Sequence, residues 1–176
     1  VCLGASQKCL SSPPGLSTLS VSDRAWAQVE ATEQDSFYAS LDPWRDIDLD
    51  ATGALWLPYT HLVSNLYALD AALDRVLDAG LQRVYRRHER VAEQCRTRGR
   101  DLGLELTTAV ERCSPTVTAF EVDGRAVALQ QALVDDHDVV VSTGIGDLED
   151  DVLRVGHMGY NADQDRVART MDALEA

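Results

Sequence analysis

Residues 6–16 read Ser-Gln-Lys-Cys-Leu-Ser-Ser-Pro-Pro-Gly-Leu, and this segment is the most informative part of the sequence. Strand-like residues precede it, and the run from Pro13 to Gly15 is tolerated by neither a helix nor a central strand. Between them lies Lys8, the single lysine among 16 Lys and Arg residues. An ammonium group at the end of a buried strand is costly unless it is paired or neutralised. We therefore expect Lys8 to be secluded, facing a cleft, and to have a chemical role.

A lone lysine in an arginine-rich chain suggests chemistry that a guanidinium does not perform. In a desolvated pocket an amine loses its proton more easily and attacks a carbonyl carbon to form a Schiff base. Pyridoxal 5'-phosphate is a common partner for such a lysine. The alternative is a surface lysine that has simply escaped replacement by arginine.

The composition excludes several classes of protein. The chain has 176 residues, is 45% hydrophobic and carries a formal net charge of -13. This charge disfavours a coat for nucleic acid or for an anionic membrane, and no apolar run approaches the roughly 20 residues of a membrane span. The Asp-rich surface favours a salt-adapted source, with a GC-rich genome as the alternative. The four cysteines form no C-x-x-C pair, so we expect free thiols, no metal site and a cytoplasmic location.

The apolar periodicity predicts interleaved strands and helices, which is an α/β or α+β arrangement. Val1 opens the chain with strand-like residues, so we expect a fragment whose first strand pairs with residues further upstream. The predicted strands cover 16–21, 104–106, 116–122, 139–142 and 152–155. The predicted helices cover 23–31 with Ser22 as its cap, 62–79, 81–99, 125–136 and 161–174 with Asn161 as its cap, and 32–58 is predicted as a loop.

Four blocks of this sequence resemble class V aminotransferases, the alanine–glyoxylate, serine–glyoxylate and pyridoxamine–pyruvate group. They occur in the family order and span nearly the whole chain. They are residues 6–16 around the lysine, Ser-Val-Ser-Asp-Arg-Ala-Trp at 20–26, Tyr59-Thr60 with Asn-Leu-Tyr-Ala-Leu at 65–69, and Leu-Arg-Val-Gly-His-Met-Gly-Tyr-Asn-Ala at 153–162.

The resemblance implies an α/β fold, namely the C-terminal part of a fold-type-I transferase that depends on pyridoxal 5'-phosphate. Residues 1–60 would end the large cofactor-binding domain, 61–99 would form connecting helices, and 100–176 would form the small α/β domain. The implied reaction transfers an amino group from a small amino acid, of the alanine or serine type, to glyoxylate or pyruvate. The chain would be a fragment lacking the N-terminal cofactor-binding half.

The resemblance also implies roles for four residues. Lys8 would hold the cofactor as a Schiff base and move the proton at the substrate α-carbon. Gln7 would help to bind the cofactor phosphate, and Thr60 would reach the phosphate of the other subunit of a homodimer. Arg154 would bind the substrate carboxylate, since a guanidinium presents paired donors that match it. An alternative for Arg154 is an ion pair with Asp150 or Asp151.

Several features depart from the family pattern. Leu57, beside Trp56, occupies a position at which several members have tyrosine. Ile145 replaces a second arginine of the pyridoxamine–pyruvate enzymes. The stacking aromatic residue, the partner of the pyridine nitrogen and most of the phosphate loop would precede Lys8 and are not in this chain. A class V lyase is a related alternative, although Gln7 stands where such enzymes usually have histidine.

A catalytically silent fragment or a dimerisation module is the alternative from a different functional class. The remaining polar residues receive structural interpretations. We expect His157 to be a packing or turn partner rather than part of the site, and His61 and His88 to be structural or solvent-facing. Cys9 is expected to be buried and inert, and the acidic run 135–138 to be a solvated helix end rather than a metal site.

Overall fold

Residues 1–45, 47 and 57–176 are described by a computed structural model. The described chain divides into a first unit, Val1–Gln7 with Ser12–Ala71, and a second unit, Lys8–Ser11 with Ala72–Ala176. The predicted loop over 32–58 includes residue 46 and residues 48–56, which lie outside the described residues. Trp56 is one of them. A short 3-10 helix at Asp42–Trp44 occupies part of the rest of that segment.

The first unit contains a two-stranded antiparallel sheet and a short helix. Strand β1 (Cys2–Ala5) pairs with β2 (Ser17–Ser20), so the first strand finds a partner within this chain. Helix α1 (Asp23–Glu30) begins after Ser22, whose side chain accepts a hydrogen bond from the Ala25 amide. The predicted strand, helix and cap are confirmed.

Two long helices follow, as the apolar spacing predicts. Helix α2 (Val63–Ala79) and helix α3 (Leu81–Asp101) are separated at Gly80, which has φ +79°. Glycine adopts this left-handed conformation without a steric penalty, which explains why the helical pattern is interrupted there.

The second unit contains a four-stranded antiparallel sheet. The order is β3 (Glu105–Leu106), β4 (Val117–Glu121), β6 (Val152–Gly156) and β5 (Ser142–Thr143). Helix α4 (Ala126–His137) precedes β5 in the chain, and helix α5 (Gln164–Glu175) follows β6.

Side-chain alternation divides this sheet into two different faces. Thr118 and Phe120 of β4 pair with Val155 and Leu153 of β6, and all four are buried. Phe120, Leu153 and Val155 form a core with residues of α3, α4 and α5, because successive residues of a strand point to opposite faces. The helical members include Val91 and Cys95 of α3, Leu133 of α4, and Val167 and Met171 of α5. Arg154 therefore projects from the face opposite this core.

Two predictions about boundaries are wrong. The strand expected at 139–142 is β5 at Ser142–Thr143, because Val139 and Val141 fill the core without joining the hydrogen-bonded ladder. The final helix is capped by Asp163 and not by Asn161, since Asn161 ends a 3-10 turn that starts at Gly159.

All four cysteines are free thiols, as expected. In the described part of the chain, no helix combines the length and the apolar character required to cross a bilayer. The same residues contain no cluster of three or more His, Cys, Asp or Glu side chains arranged to hold a metal ion.

Candidate functional site

The lysine turn, defined as Lys8–Ser11, belongs to the second unit although the residues on both sides of it belong to the first. The Ser11 amide donates to the Lys8 carbonyl oxygen at 3.0 Å and closes the turn. The turn packs through its backbone, and the side chains of Lys8 and Cys9 are exposed. The expectations that Lys8 is secluded and that Cys9 is buried are therefore wrong for this chain by itself.

Arg154 is half-buried in the middle of β6. Its Nε donates a hydrogen bond of 2.6 Å to the carbonyl oxygen of Thr143, on the neighbouring strand β5. This bond fixes the plane of the guanidinium and uses only one of its three nitrogens. Among the described residues, Arg154 forms no ion pair, so both Nη groups remain available to a carboxylate.

The two carboxylates proposed as partners of Arg154 have another role. Asp151 Oδ1 accepts from the Gly124 amide at 3.0 Å, and Asp150 Oδ1 accepts from the Val127 amide at 3.2 Å. These bonds satisfy backbone donors before and within the first turn of α4, which lack partners inside the helix. The alternative of a structural ion pair for Arg154 is thereby removed.

His157 lies fully buried directly after β6. Its Nε2 is 2.8 Å from the Thr118 hydroxyl, and its amide donates to the Thr116 carbonyl oxygen. Burial lowers the pKa of His157 to about 4, so the ring is neutral at pH 7. Burial also raises the pKa of the Cys95 thiol to about 11, which keeps it protonated. These groups are packing partners, as the sequence favours for His157.

His88 has a role that the sequence did not reveal. Its Nδ1 lies 2.9 Å from the Val84 carbonyl oxygen, and the Gly159 amide donates to its Nε2 at 2.9 Å. Since an amide N–H only donates, Nε2 is the acceptor and Nδ1 carries the proton. The 3.6-residue apolar spacing of α3 places His88 on the buried face, and this spacing was the only sequence signal of its importance.

Gly159 in turn lies against the lysine turn. It has φ +59°, and a β-carbon built there would be 2.9 Å from the Lys8 carbonyl oxygen and 3.1 Å from that of Cys9. The neighbouring Tyr160 amide donates to the Ser11 hydroxyl at 2.7 Å. The second unit thus brings the lysine turn against the segment that follows Arg154.

The two remaining predicted site residues, Gln7 and Thr60, are exposed and belong to the first unit. Thr60 lies between Tyr59 and His61, whose rings pack with Trp44: the ring centroids of Trp44 and His61 are 5.2 Å apart. Ile145, which the resemblance places where the pyridoxamine–pyruvate enzymes have a second arginine, is 76% exposed.

The acidic run 135–138 ends α4 as expected. Asp138 has φ +53°, the left-handed conformation that often follows a helix, and Asp135 accepts hydrogen bonds from Gln131. These contacts assign the run to the helix end.

Comparison with known proteins finds similar chains, although no protein-family model matches this one. An uncharacterised aminotransferase of Methanocaldococcus jannaschii is 32% identical over 96% of this chain and 44% of its own length. The pyridoxamine–pyruvate transaminase of Mesorhizobium japonicum is 35% identical over 88% of this chain and 40% of its own length. The chain therefore spans less than half the length of the curated relatives it matches.

Solved structures give the same result for the fold. The alanine–glyoxylate aminotransferase of Nostoc sp. superposes with a TM-score of 0.87 and 29% identity, over 98% of this chain and 46% of that one. Over nearly its whole length, the chain is similar to the C-terminal portion of class V aminotransferases. The predicted α/β fold, the C-terminal part of a fold-type-I transferase, is confirmed. In this chain, the second unit carries both Lys8 and Arg154.

Proposed function

We propose that this chain is part of a transaminase that depends on pyridoxal 5'-phosphate and transfers an amino group from a small amino acid to glyoxylate or pyruvate. The observation that carries the proposal is the available guanidinium of Arg154 on the same compact unit as the only lysine. Similarity to the alanine–glyoxylate and pyridoxamine–pyruvate enzymes supports the substrate class.

The donor chemistry of the described residues fits the cofactor. The Lys8 amine is exposed and makes no ion pair with a carboxylate of residues 1–45, 47 and 57–176, so a carbonyl electrophile can reach it. Gln7 and Thr60, also exposed, would contact the phosphate. When bound, pyridoxal phosphate acts as an electron sink that stabilises negative charge at the substrate α-carbon.

Arg154 would bind and orient the substrate. Its Nε is engaged by Thr143, so its two Nη groups would donate parallel charge-assisted hydrogen bonds to the two carboxylate oxygens of the substrate. Fixing the carboxylate fixes the direction of the bonds at the α-carbon, and Lys8 Nζ would accept and return the proton there. Lys8 must be shielded from water for this chemistry, and we propose that residues outside this chain or a second copy shield it.

The remaining parts of the proposal concern organisation. We propose that residues 1–60, 61–99 and 100–176 contribute the end of the cofactor domain, the connecting helices and the small domain. The enzyme would act as a homodimer in the cytoplasm, with Thr60 serving the phosphate of the partner subunit.

The experiment incubates the chain with pyridoxal phosphate, reduces the mixture with borohydride and maps the modified peptide by mass spectrometry. We expect visible absorbance before reduction and modification at Lys8 well above modification at the Val1 α-amine, which serves as an internal reference for a generic amine. Lys8→Arg keeps the positive charge and loses the label at position 8. Equal labelling of Val1 and Lys8, or no labelling of Lys8, contradicts the proposal and favours a catalytically silent module.

A second measurement tests Arg154. In the cofactor-loaded chain, Arg154→Gln is expected to lower transamination of alanine with glyoxylate by about tenfold to a hundredfold, because charge-assisted bonds to the carboxylate are lost. Arg125→Gln is the matched control: its Nε also donates to a carbonyl oxygen, that of Val122 at 3.0 Å. Equal losses in the two variants would contradict the role of Arg154.

A further inference from the structure

We propose that His88 and Ser11 are positioning residues that fix the lysine turn to the second unit, the unit that carries Arg154. The inference deepens the proposed function and rests on it for its catalytic meaning. The structural connection itself is independent of any cofactor. It consists of two consecutive amides, those of Gly159 and Tyr160, each bound by a side chain from a different part of the unit.

The first contact anchors the loop after β6 to α3. His88 is 5% exposed, and both of its ring nitrogens are used, one by the Val84 carbonyl of its own helix and one by the Gly159 amide. The bond to Val84 holds the ring in the tautomer that accepts from Gly159. A buried amide without this acceptor would carry a large desolvation penalty, so the loop has a strong preference for this position.

The second contact anchors the lysine turn to the same loop. The Ser11 hydroxyl accepts from the Tyr160 amide at 2.7 Å, and the Ser11 backbone has φ +59°. A non-glycine residue adopts this left-handed conformation at an energetic cost, so it is retained where surrounding contacts compensate. The hydrogen bond from Tyr160 is such a contact.

Glycine at position 159 allows these two contacts to coexist. The residue has a left-handed backbone conformation and lacks a β-carbon. A β-carbon at this position would collide with the Ser11 hydroxyl and crowd the carbonyl oxygens of Lys8 and Cys9. The turn therefore lies directly on the loop, backbone against backbone. Residue 159 is five positions after Arg154, so the amine and the guanidinium are carried by adjoining segments of one unit.

Loss of either contact is expected to free the lysine turn without unfolding the unit. Lysyl endopeptidase measures this directly, because Lys8–Cys9 is the only bond in the chain that follows a lysine. A protease requires an extended backbone, so cleavage reports the population of the open turn when opening is fast. We expect about tenfold faster cleavage in Ser11→Gly and in His88→Phe, each of which removes one acceptor.

Three further variants separate positioning from general stability. His88→Gln presents an oxygen near the position of Nε2 and is expected to restore slow cleavage. Ser114→Gly removes a hydroxyl from another exposed loop of the second unit, and Met171→Ala destabilises the core through a residue outside the turn. Lysyl endopeptidase is expected to cleave both variants at the wild-type rate under conditions in which they stay folded.

The outcomes distinguish this inference from the proposed function. The proposal that His88 and Ser11 position the lysine turn is wrong if Ser11→Gly and His88→Phe are cleaved at the wild-type rate. It is also wrong if Met171→Ala is cleaved as fast as those two variants. Borohydride labelling of the same variants then links the turn to chemistry: the ratio of Lys8 to Val1 labelling is expected to fall several-fold in His88→Phe and to recover in His88→Gln. Absence of labelling in the wild type would refute the proposed function and leave the cleavage result unaffected.

Discussion

The two units of this chain differ in what they bury. In the second unit, Phe120, Leu153 and Met171 are completely enclosed. In the described part of the first unit, no large apolar side chain is buried; the buried residues there are Ser6, Ser12, Ser40 and Pro58. Since burial of apolar surface is the main stabilising contribution to folding, we expect the second unit to contribute most of the stability of the described residues. The lysine turn is attached to the unit with the core.

Matched truncations of one side chain in each unit are expected to differ most in their effect on stability. Phe120→Ala removes the ring at the centre of the core and is expected to lower the free energy of unfolding by about 3–5 kcal/mol. Leu19→Ala truncates a side chain of β2 that is 48% exposed. This variant is expected to change the free energy of unfolding by less than about 0.5 kcal/mol. Guanidinium chloride denaturation followed by circular dichroism measures both. Similar losses would contradict the difference between the units.

Acid is expected to weaken the second unit through His157. Its folded pKa of about 4 lies below the ordinary value of 6.5, so between these pH values the unfolded chain binds the extra proton. The stabilisation is complete above pH 6.5 and is lost as the pH falls towards 4, by about 2–3 kcal/mol. Denaturation at pH 7, 5.5 and 4 measures this loss.

The control for the acid effect is His157→Gln, which has no titrating ring at this site. This variant is expected to be less stable at pH 7 and to lose less stability between pH 7 and pH 4 than the wild type. An unchanged pH dependence in His157→Gln would assign the acid sensitivity to other groups.

Packing density gives a third comparison. A β-carbon at Gly99 of α3 would collide with the Phe120 ring, so Gly99→Ala is expected to destabilise the second unit by about 1–3 kcal/mol. At Gly4 in β1 the nearest atom is the Thr18 hydroxyl, which is able to rotate away, and Gly4→Ala is expected to have a smaller effect. Thermal melts of the two variants test this order, and a larger loss in Gly4→Ala would reverse it.

Substitutions of the two helix caps, Asp163 and Ser22, are expected to change stability least. Asp163 accepts from the amides of Asp165 and Arg166 at 3.1 and 3.0 Å, and Asp163→Ala is expected to cost about 1 kcal/mol. Ser22 caps α1 through a longer bond of 3.4 Å, and α1 has no buried residue. Ser22→Ala should therefore fray α1, as measured by amide hydrogen exchange, and leave global unfolding nearly unchanged. A global loss equal to that of Asp163→Ala would contradict this expectation.

The sequence predicted the elements better than their ends. Periodic apolar residues identified both long helices and the break at Gly80, because the pattern extends over many turns. The same signal misplaced β5: it detects burial, and Val139 and Val141 are buried without pairing in the sheet. Asn161 and Asp163 are both good caps, and only the conformation of the turn from Gly159 selects the second.

For the candidate site, the sequence identified residue types and not their surroundings. The lone lysine and Arg154 follow from composition and from the resemblance, whereas the exposure of Lys8 depends on which chain segments cover it. The role of His88 depends on a contact with Gly159, 71 positions away, and no local pattern encodes such a contact. The sequence also does not reveal that Asp150 and Asp151 accept hydrogen bonds from backbone amides at the start of α4, because these contacts depend on how the strands pair.

The lengths of the strands in the second unit have a consequence for its behaviour in concentrated solution. Its two outer strands, β3 and β5, contain two residues each, while the inner strands β4 and β6 contain five. An unpaired strand edge is a template onto which another polypeptide adds, and edges this short offer few free donors and acceptors. This sheet is therefore a poor seed for fibril growth.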